Sequence, residues 1–251
     1  IDRWLQSKLQ AVVRTATEAM DGFETRTASQ AAFYELEEHL RWYRKRADLD
    51  RPGAKRTLRE VLEARLRLLA PFVPFLANEL HESLTGEPAE DAAWPTPDPD
   101  LESPRVEAEE ELVRRLLDDV REVVDVTGTD PETINVYVAE EWKRDVFDAV
   151  VEVGGDQGAA MGRIMQDDAM RERGDAVNDL VGELATFVRE QPDGRVETLR
   201  GVDELDVYGD AADVLAREFD ADVEVYAAGE GPDAEGKAER AVPFRPAIHL
   251  E

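Results

Sequence analysis

Residues 29–46 read SQAAFYELEEHLRWYRKR. Phe33, Leu36, Leu40 and Tyr43 fall at three- and four-residue spacing with charged side chains between them, so the stretch predicts an amphipathic helix beginning near Ser29. The turn Asp50-Arg51-Pro52-Gly53 ends it. Upstream, Trp4, Leu5, Leu9, Val12, Val13, Ala16, Met20 and Phe23 form a similar stripe over residues 4–23. Downstream, residues 54–84 place Leu58, Val61, Leu62, Leu69, Phe72, Leu76 and Leu80 on one face. Pro71 and Pro74 must interrupt or kink that helix, because each removes a backbone donor. Three such helices with short connections describe an antiparallel bundle.

Outward from the bundle comes GEPAEDAAWPTPDPDLESP, residues 86–104, with prolines at 88, 95, 97, 99 and 104. It is neither helix nor central strand, and reads as a connection with Trp94 pinning it to the bundle. Beyond it, Leu112, Val113, Leu116, Leu117, Val120, Val123 and Val124 make a helical stripe. Ile134, Val136 and Val138 then alternate with Asn135, Tyr137 and Ala139 as a strand does. Trp142, Val146, Val150 and Val153 restart a helix, and further helices are marked by Met161, Ile164 and Met165, by Val177 to Val188, and by Tyr208 to Phe219. The strand Asp222 to Ala227 and an extended stretch from Arg245 to Glu251 follow. The expected organisation is an α-helical bundle over residues 1–88, a Pro/Asp-rich linker over 89–104, and a smaller mixed α+β domain with three short strands over 105–251.

The 251 residues carry 58 acidic and 30 basic side chains, a net charge of −28, and only Lys8, Lys45, Lys55, Lys143 and Lys237 among the cations are lysines. A hydrophobic share of 42% is enough for real cores and argues against wholesale disorder. The acids are spread along the chain rather than blocked, which suits a halophile cytosol more than a dedicated acidic tail. In about 1 M salt the Debye length falls to roughly 3 Å and self-repulsion is largely screened. There is no cysteine, which excludes disulfides, thiolate nucleophiles and cysteine metal sites and is compatible with a reducing cytoplasmic interior. The longest apolar run, LLAPFVPFLA at 68–77, is about half a bilayer span and holds two prolines. No membrane partner is expected. The start at Ile1 reads as that of a fragment of something longer.

Motifs for catalysis are missing. His39, His81 and His249 lie far apart, in no metal-ligand spacing, and are expected to have surface or boundary roles. No GxSxG elbow occurs, and GGDQG at 154–158 is neither a Walker loop nor a dinucleotide fingerprint, so it reads as a helix-capping loop. Carboxylate pairs are too numerous to single any out. One stretch departs from the acidic background. Residues 41–67 hold ten basic residues, among them Arg41, Arg44, Lys45, Arg46, Lys55 and Arg56, against four acidic ones, a net of +6. Trp42 and Tyr43 sit within it, and arginines beside aromatics suit phosphate forks and base stacking. The cations either contact nucleic acid or merely balance acids along helix faces, and composition leaves both open.

These strings carry a resemblance. DRWLQSKLQ at 2–10, RTASQAAFYELEEHLRWYRKR at 26–46 and LREVLEARLRLLAPFVPFLANELHESL at 58–84, closing with Trp94-Pro95, resemble the helical anticodon-binding domain of class I aminoacyl-tRNA synthetases. Trp42-Tyr43-x-x-Arg46 and Leu69-Ala70-Pro71-Phe72-x-Pro74 are the most specific parts. INVYVAEEWK at 134–143, DVEVYAA at 222–228 and KAERAVPFRPAIHLE at 237–251 are similar to the carboxy-terminal domain of the archaeal and eukaryotic type of leucyl-tRNA synthetase. Family members often have His and Glu where this chain has Phe75 and Asn78, and the difference is expected to affect local packing.

The resemblance implies a leucine-tRNA ligase whose ATP- and Mg-dependent catalytic domain, with HIGH and KMSKS signatures, and whose editing domain are not in this sequence. It implies tRNA(Leu) as partner, together with those other domains of the same parent chain, no obligate protein partner, and no cofactor within these residues. The helical domain would support the inside of the tRNA, and the carboxy-terminal domain would approach its elbow and long variable arm. The tRNA-contacting candidates are then Arg41, Trp42, Arg44, Lys45, Arg46, Lys55 and Arg56, with Lys143, Arg144, Lys237, Arg240 and Arg245 as weaker ones. The rival class is a free-standing acidic interaction module or generic tRNA binder, which leaves the basic island and the PFRPAIHLE string without a reason.

The charge excess yields a test. Circular dichroism should show the chain loosening or unfolding on dialysis below about 0.5 M KCl, where screening weakens. An unchanged spectrum in dilute buffer would count against a halophilic origin.

Overall fold

A computed structural model describes residues 1–227, 229–232 and 236–251, so Ala228 of the string DVEVYAA lies outside the described residues. The chain divides into two compact units, Ile1–Glu107 and Ala108–Glu251.

In the first unit, α1 (Asp2–Asp21) buries Trp4, Leu5, Leu9, Val12, Val13 and Ala16 of the stripe expected from spacing, but the helix ends before Phe23, which turns out to solvent at positive φ and is 90% exposed. The return helix begins at Thr25, four residues before the expected start. It runs as α2 (Thr25–Gln30), a π-helical turn (Ala31–Glu35) and α3 (Leu36–Arg46). A π turn holds one residue more than α-helical bonding accommodates and disturbs the carbonyl ladder. Arg65 fills the gap from a neighbouring helix. Its Nε donates to the Ala32 carbonyl at 3.3 Å, one Nη to the Phe33 carbonyl at 2.9 Å, and the other Nη to Glu37 at 2.9 Å.

Helix α4 (Pro52–Leu69) and helix α5 (Pro74–Thr85) each open on a proline, at the position where a missing N–H costs nothing. The interruption expected from Pro71 and Pro74 is therefore a full break over residues 70–73. It also overturns part of the expected stripe, because α5 takes a new direction and buries Ala77 and His81, leaving Leu76 and Leu80 about half exposed. Leu62 is likewise exposed, one step round α4 from the buried Ala54, Thr57, Val61, Ala64 and Leu68. Phe75 is 92% exposed, so no packing turns on it, whereas Asn78 accepts a hydrogen bond from the Glu90 backbone at 3.0 Å.

The proline-rich stretch lies against this bundle. Trp94 does pin it, its indole N–H donating to Thr17 at 2.9 Å, while the backbone of Asp98 donates to Gln10 and that of Ser103 to Ser7. Two of the histidines correct the surface expectation. His81 is buried, with Nδ1 2.7 Å from the Glu87 carbonyl, where it ties the turn after α5, and His249 is buried on a strand.

The second unit is built on three strands. β1 (Thr133–Tyr137) is central, parallel to β2 (Asp222–Tyr226), with Ile134 facing Val223, and antiparallel to β3 (Ala247–Leu250), with Ile134 facing Leu250. Ile134, Val136 and Tyr137 are fully buried. Helix α6 (Pro104–Thr127) precedes β1. A parallel pair needs a long crossover, and here it comprises α7 (Glu141–Glu152), α8 (Gln157–Ile164), α9 (Asp168–Glu172), α10 (Asp175–Glu190), α11 (Arg195–Arg200) and α12 (Glu204–Phe219). The six-residue α11 was not legible as a separate helix. Phe147, Phe187 and Phe244 cluster between α7, α10 and the 242–245 turn. The fold is thus a helical bundle followed by an α+β unit, the order and class that the patterning predicts, although the second unit is the longer of the two rather than the smaller.

Hydrogen bonds from Arg65, ahead of opposing desolvation, hold the Glu37 carboxyl below its ordinary pKa of 4.5. Its contribution to stability is therefore present above pH 4.5 and lost as pH falls through the lowered folded-state value. Replacing Arg65 with Met removes a donor from two carbonyls and from Glu37, and should cost the first unit about 2 kcal/mol. Denaturant midpoints in molar salt would read that loss.

Candidate nucleic-acid interface

The basic island sits at the turn between α3 and α4, and the structure separates it into two groups. Arg51 is structural. It grips Asp2 with two hydrogen bonds of 2.8 and 2.9 Å, and Tyr43 donates to the same carboxylate at 2.6 Å. Burial opposes the charge on Asp2, but these bonds outweigh it and keep the carboxyl below its usual range. Burial and the neighbouring Asp2 push the Tyr43 phenol upward. Gly53 leaves the room this cluster needs, since a Cβ there would lie 3.1 Å from Asp2 and 3.2 Å from Arg51. Arg65 clamps the π turn, and Arg67 donates to the Ala93 carbonyl at 3.3 Å.

The second group faces water. Arg41 is 73% exposed in its side chain and lies 3.6 Å from Glu37, and Arg44 meets the same carboxylate at 2.8 Å. Glu37 thus takes Arg65 from behind and Arg41 and Arg44 from in front, setting the two outer guanidiniums in line along α3. Glu37 escaped the sequence reading although its spacing, four residues before Arg41 and seven before Arg44, carries the signal. Across the turn, Lys55 is exposed at 3.5 Å from Asp50, and Arg56 is exposed with no partner among the described residues. Trp42, Lys45 and Arg46 are half-buried, Trp42 against the bundle core. Arg41, Arg44, Lys55 and Arg56 are therefore exposed cations of the island, beside Arg51, whose side chain is as open as that of Arg44, and Arg59, which donates to the Leu84 carbonyl at 2.6 Å. Fork-shaped arginines held by one carboxylate suit phosphate oxygens.

The weaker candidates fare differently. Lys143 is buried, and its ammonium donates to the carbonyls of Glu239 and Ala241 at 2.6 and 2.7 Å, so it cannot serve a phosphate. Burial lowers its pKa. Arg144 is spent on Glu204 at 2.7 Å and on the Val202 carbonyl. Burial raises the Glu204 pKa against the pull of Arg144, and Glu204 also accepts from the Phe244 backbone at 2.7 Å. Both cations lock the crossover to the 238–245 segment. Their sequence position shows why for Lys143, which shares the buried face of α7 with Val146, Phe147 and Val150. Lys237 is half-buried, Arg240 is exposed, and Arg245 is 69% exposed in its side chain at 3.4 Å from Glu183.

Among the described residues no group of three or more His, Cys, Asp or Glu side chains could hold a metal ion, and no helix is long and apolar enough to cross a membrane. Residues 2–137 match the family described as the anticodon-binding domain of tRNA ligase. The chain belongs to that family. The matched span takes in the whole bundle, the proline-rich stretch, α6 and β1 of this anticodon-binding-domain protein. Along its full length the chain is also similar to curated leucine–tRNA ligases. It is 36% identical over 257 residues to that of Methanothermobacter thermautotrophicus, 34% over 254 to that of Pyrococcus furiosus, and 31% over 259 to that of Methanosarcina acetivorans. Each alignment covers 100% of this chain but 25–26% of the relative, so the chain spans about a quarter of their length.

Lys143→Met should destabilise the second unit of this anticodon-binding-domain protein by about 2 kcal/mol, because two buried carbonyls lose their donor. Arg56→Glu on the exposed face should change stability by less than about 0.5 kcal/mol. Thermal or denaturant unfolding in molar salt separates the two.

Proposed function

We propose that this chain is the tRNA-holding portion of a leucine–tRNA ligase from a salt-loving archaeon. The observation that carries the reading is the outward row of Arg41, Arg44, Lys55 and Arg56 on a bundle of the anticodon-binding-domain family, in a chain otherwise strongly acidic. Full-length similarity to leucine–tRNA ligases supports leucine tRNA as the partner. Leucylation with ATP and Mg, and removal of wrongly attached amino acids, would belong to other domains of a longer cytoplasmic protein.

A chain of charge −28 must then hold a polyanion. Counterion release is a weak driving force when the bulk is already near molar in salt. Affinity must lean on hydrogen bonds, stacking and shape, as is usual in RNA recognition. The four outward cations set orientation, and the acidic excess occupies other faces.

Binding of the 251-residue chain to a leucine tRNA transcript in about 2 M KCl, beside a tRNA with a short variable arm, tests the reading. The long-armed tRNA should bind more tightly, and Arg44→Glu combined with Arg56→Glu should weaken binding about tenfold, the scale of two lost phosphate contacts. Equal affinity for both tRNAs would remove the leucine assignment, and an unchanged double variant would remove the α3–α4 surface as the contact.

A further inference from the structure

Glu37 divides its two carboxylate oxygens between the inside and the outside of the bundle. Oε2 accepts from the Arg65 guanidinium at 2.9 Å, and the rest of that guanidinium serves the π turn. Oε1 accepts from Arg44 at 2.8 Å and lies 3.6 Å from Nε of Arg41. The two outer arginines are 46% and 73% exposed in their side chains, whereas the carboxylate between them is 28% exposed. One oxygen of Glu37 is therefore a structural fastening. The other occupies the place on two guanidinium forks that an oxygen of a bound phosphate would take.

An ion pair at a surface ordinarily contributes little, because two long side chains must be held still for one contact. Glu37 escapes part of that cost, since Arg65 already fixes it from behind. Hydrogen bonds from Arg65 and then from Arg44 outweigh desolvation and keep its carboxyl below the ordinary range, and so charged. The next residue, Glu38, is exposed and makes no ion pair among the described residues. Across the turn the cations are looser. Lys55 lies 3.5 Å from Asp50, whose side chain is fully exposed, and Arg56 has no partner among the described residues.

An RNA strand that engages Lys55 and Arg56 presents its other phosphates to α3 at a high local concentration. To reach Arg41 and Arg44, such a phosphate has one oxygen to displace. Oε2 keeps Arg65 meanwhile, so the π turn is undisturbed as the outer pair changes partner.

We propose that Glu37 is an internal competitor for RNA phosphate. In the free chain its Oε1 occupies Arg41 and Arg44, and the RNA backbone displaces that oxygen while the other stays on Arg65. The inference rests on the tRNA-binding reading above and adds to it an autoinhibitory contact at the α3 cations. The contact lowers affinity, and because the displaced oxygen remains beside the two arginines it also favours release.

Fluorescence anisotropy of the 251-residue chain with a labelled leucine tRNA transcript in about 2 M KCl tests it. Glu37→Gln keeps an acceptor for Arg65 while removing the charge, and should tighten binding about fivefold, the upper end for an exposed ion pair. Glu38→Gln makes the same change of net charge and should alter affinity by less than about 1.5-fold, because screening at this salt confines a charge to a few ångströms. In a chain that already carries Arg41→Gln and Arg44→Gln, the added Glu37→Gln should likewise change affinity by less than about 1.5-fold, since the competitor then has nothing to release. On the unsubstituted chain, the carboxylate carbon-13 resonance of Glu37 should move on saturation with RNA and that of Glu38 should not. Unchanged or weaker binding by the Glu37→Gln chain, an equal gain from Glu38→Gln, a gain that persists without Arg41 and Arg44, or an unmoved Glu37 resonance would each overturn the competitor. If the tRNA binds and responds to Arg44→Glu with Arg56→Glu while Glu37→Gln brings no gain, the competitor falls alone, and if no RNA binds, both readings fall.

Discussion

The guanidinium of Arg65 is the tie on which the first unit depends. A helix of 22 residues returning along α1 contains one residue too many for regular hydrogen bonding, and the surplus is absorbed in the π turn at 31–35. The carbonyls of Ala32 and Phe33 each receive a donor from outside the helix, and an unpaired carbonyl away from water is expensive. Arg65 answers both, and with its third contact holds Glu37. The same carboxylate then aligns Arg41 and Arg44. A defect in the backbone ladder, its repair and the orientation of the outward cations form one connected set of contacts, so side chains on the surface inherit their order from a group beneath them.

The opposite use of cations appears in the second unit. Lys143 and Arg144 are neighbours, yet neither is available to a ligand, because one ends on two carbonyls and the other on Glu204 and a carbonyl. Lys143 ties the long crossover to the carbonyls of Glu239 and Ala241, and Arg144 holds Glu204, which accepts from the Phe244 backbone. In a chain so rich in carboxylates, basic residues are scarce, and the fold divides them between internal fastening and outward contact.

Much of this was legible in sequence. Helical spacing located α1, α3, α4, α7, α10 and α12, because their buried residues recur at the helix period, and alternation located β1 although both of its faces are buried. Leu76 and Leu80 misled, since a stripe drawn across Pro71 and Pro74 presumes a straight axis that the break at 70–73 removes, and Leu62 misled because it lies one step round α4 from the buried face. The π turn left no periodic signal, as one inserted residue shifts the phase by less than local spacing can show. For the candidate site, clustering of arginines pointed to the α3–α4 turn, but could not say which members face inward. That division is a matter of tertiary partners: Asp2 for Arg51, the π-turn carbonyls for Arg65, and none among the described residues for Arg56.

The order of strands in the sheet also bears on how the protein is made. β1 lies between β2 and β3, yet both neighbours are synthesised long after it, and Glu132 and Thr133 donate their amides to the carbonyl of Glu251. During translation the central strand, with Ile134, Val136 and Tyr137, emerges with nothing to cover it, while the bundle ahead of it already has every helix it needs. The first unit can settle as it leaves the ribosome, but the second must wait until residues 247–251 are free. For that interval its most apolar strand has two open edges, and a strongly charged surround is a means of keeping nascent copies apart.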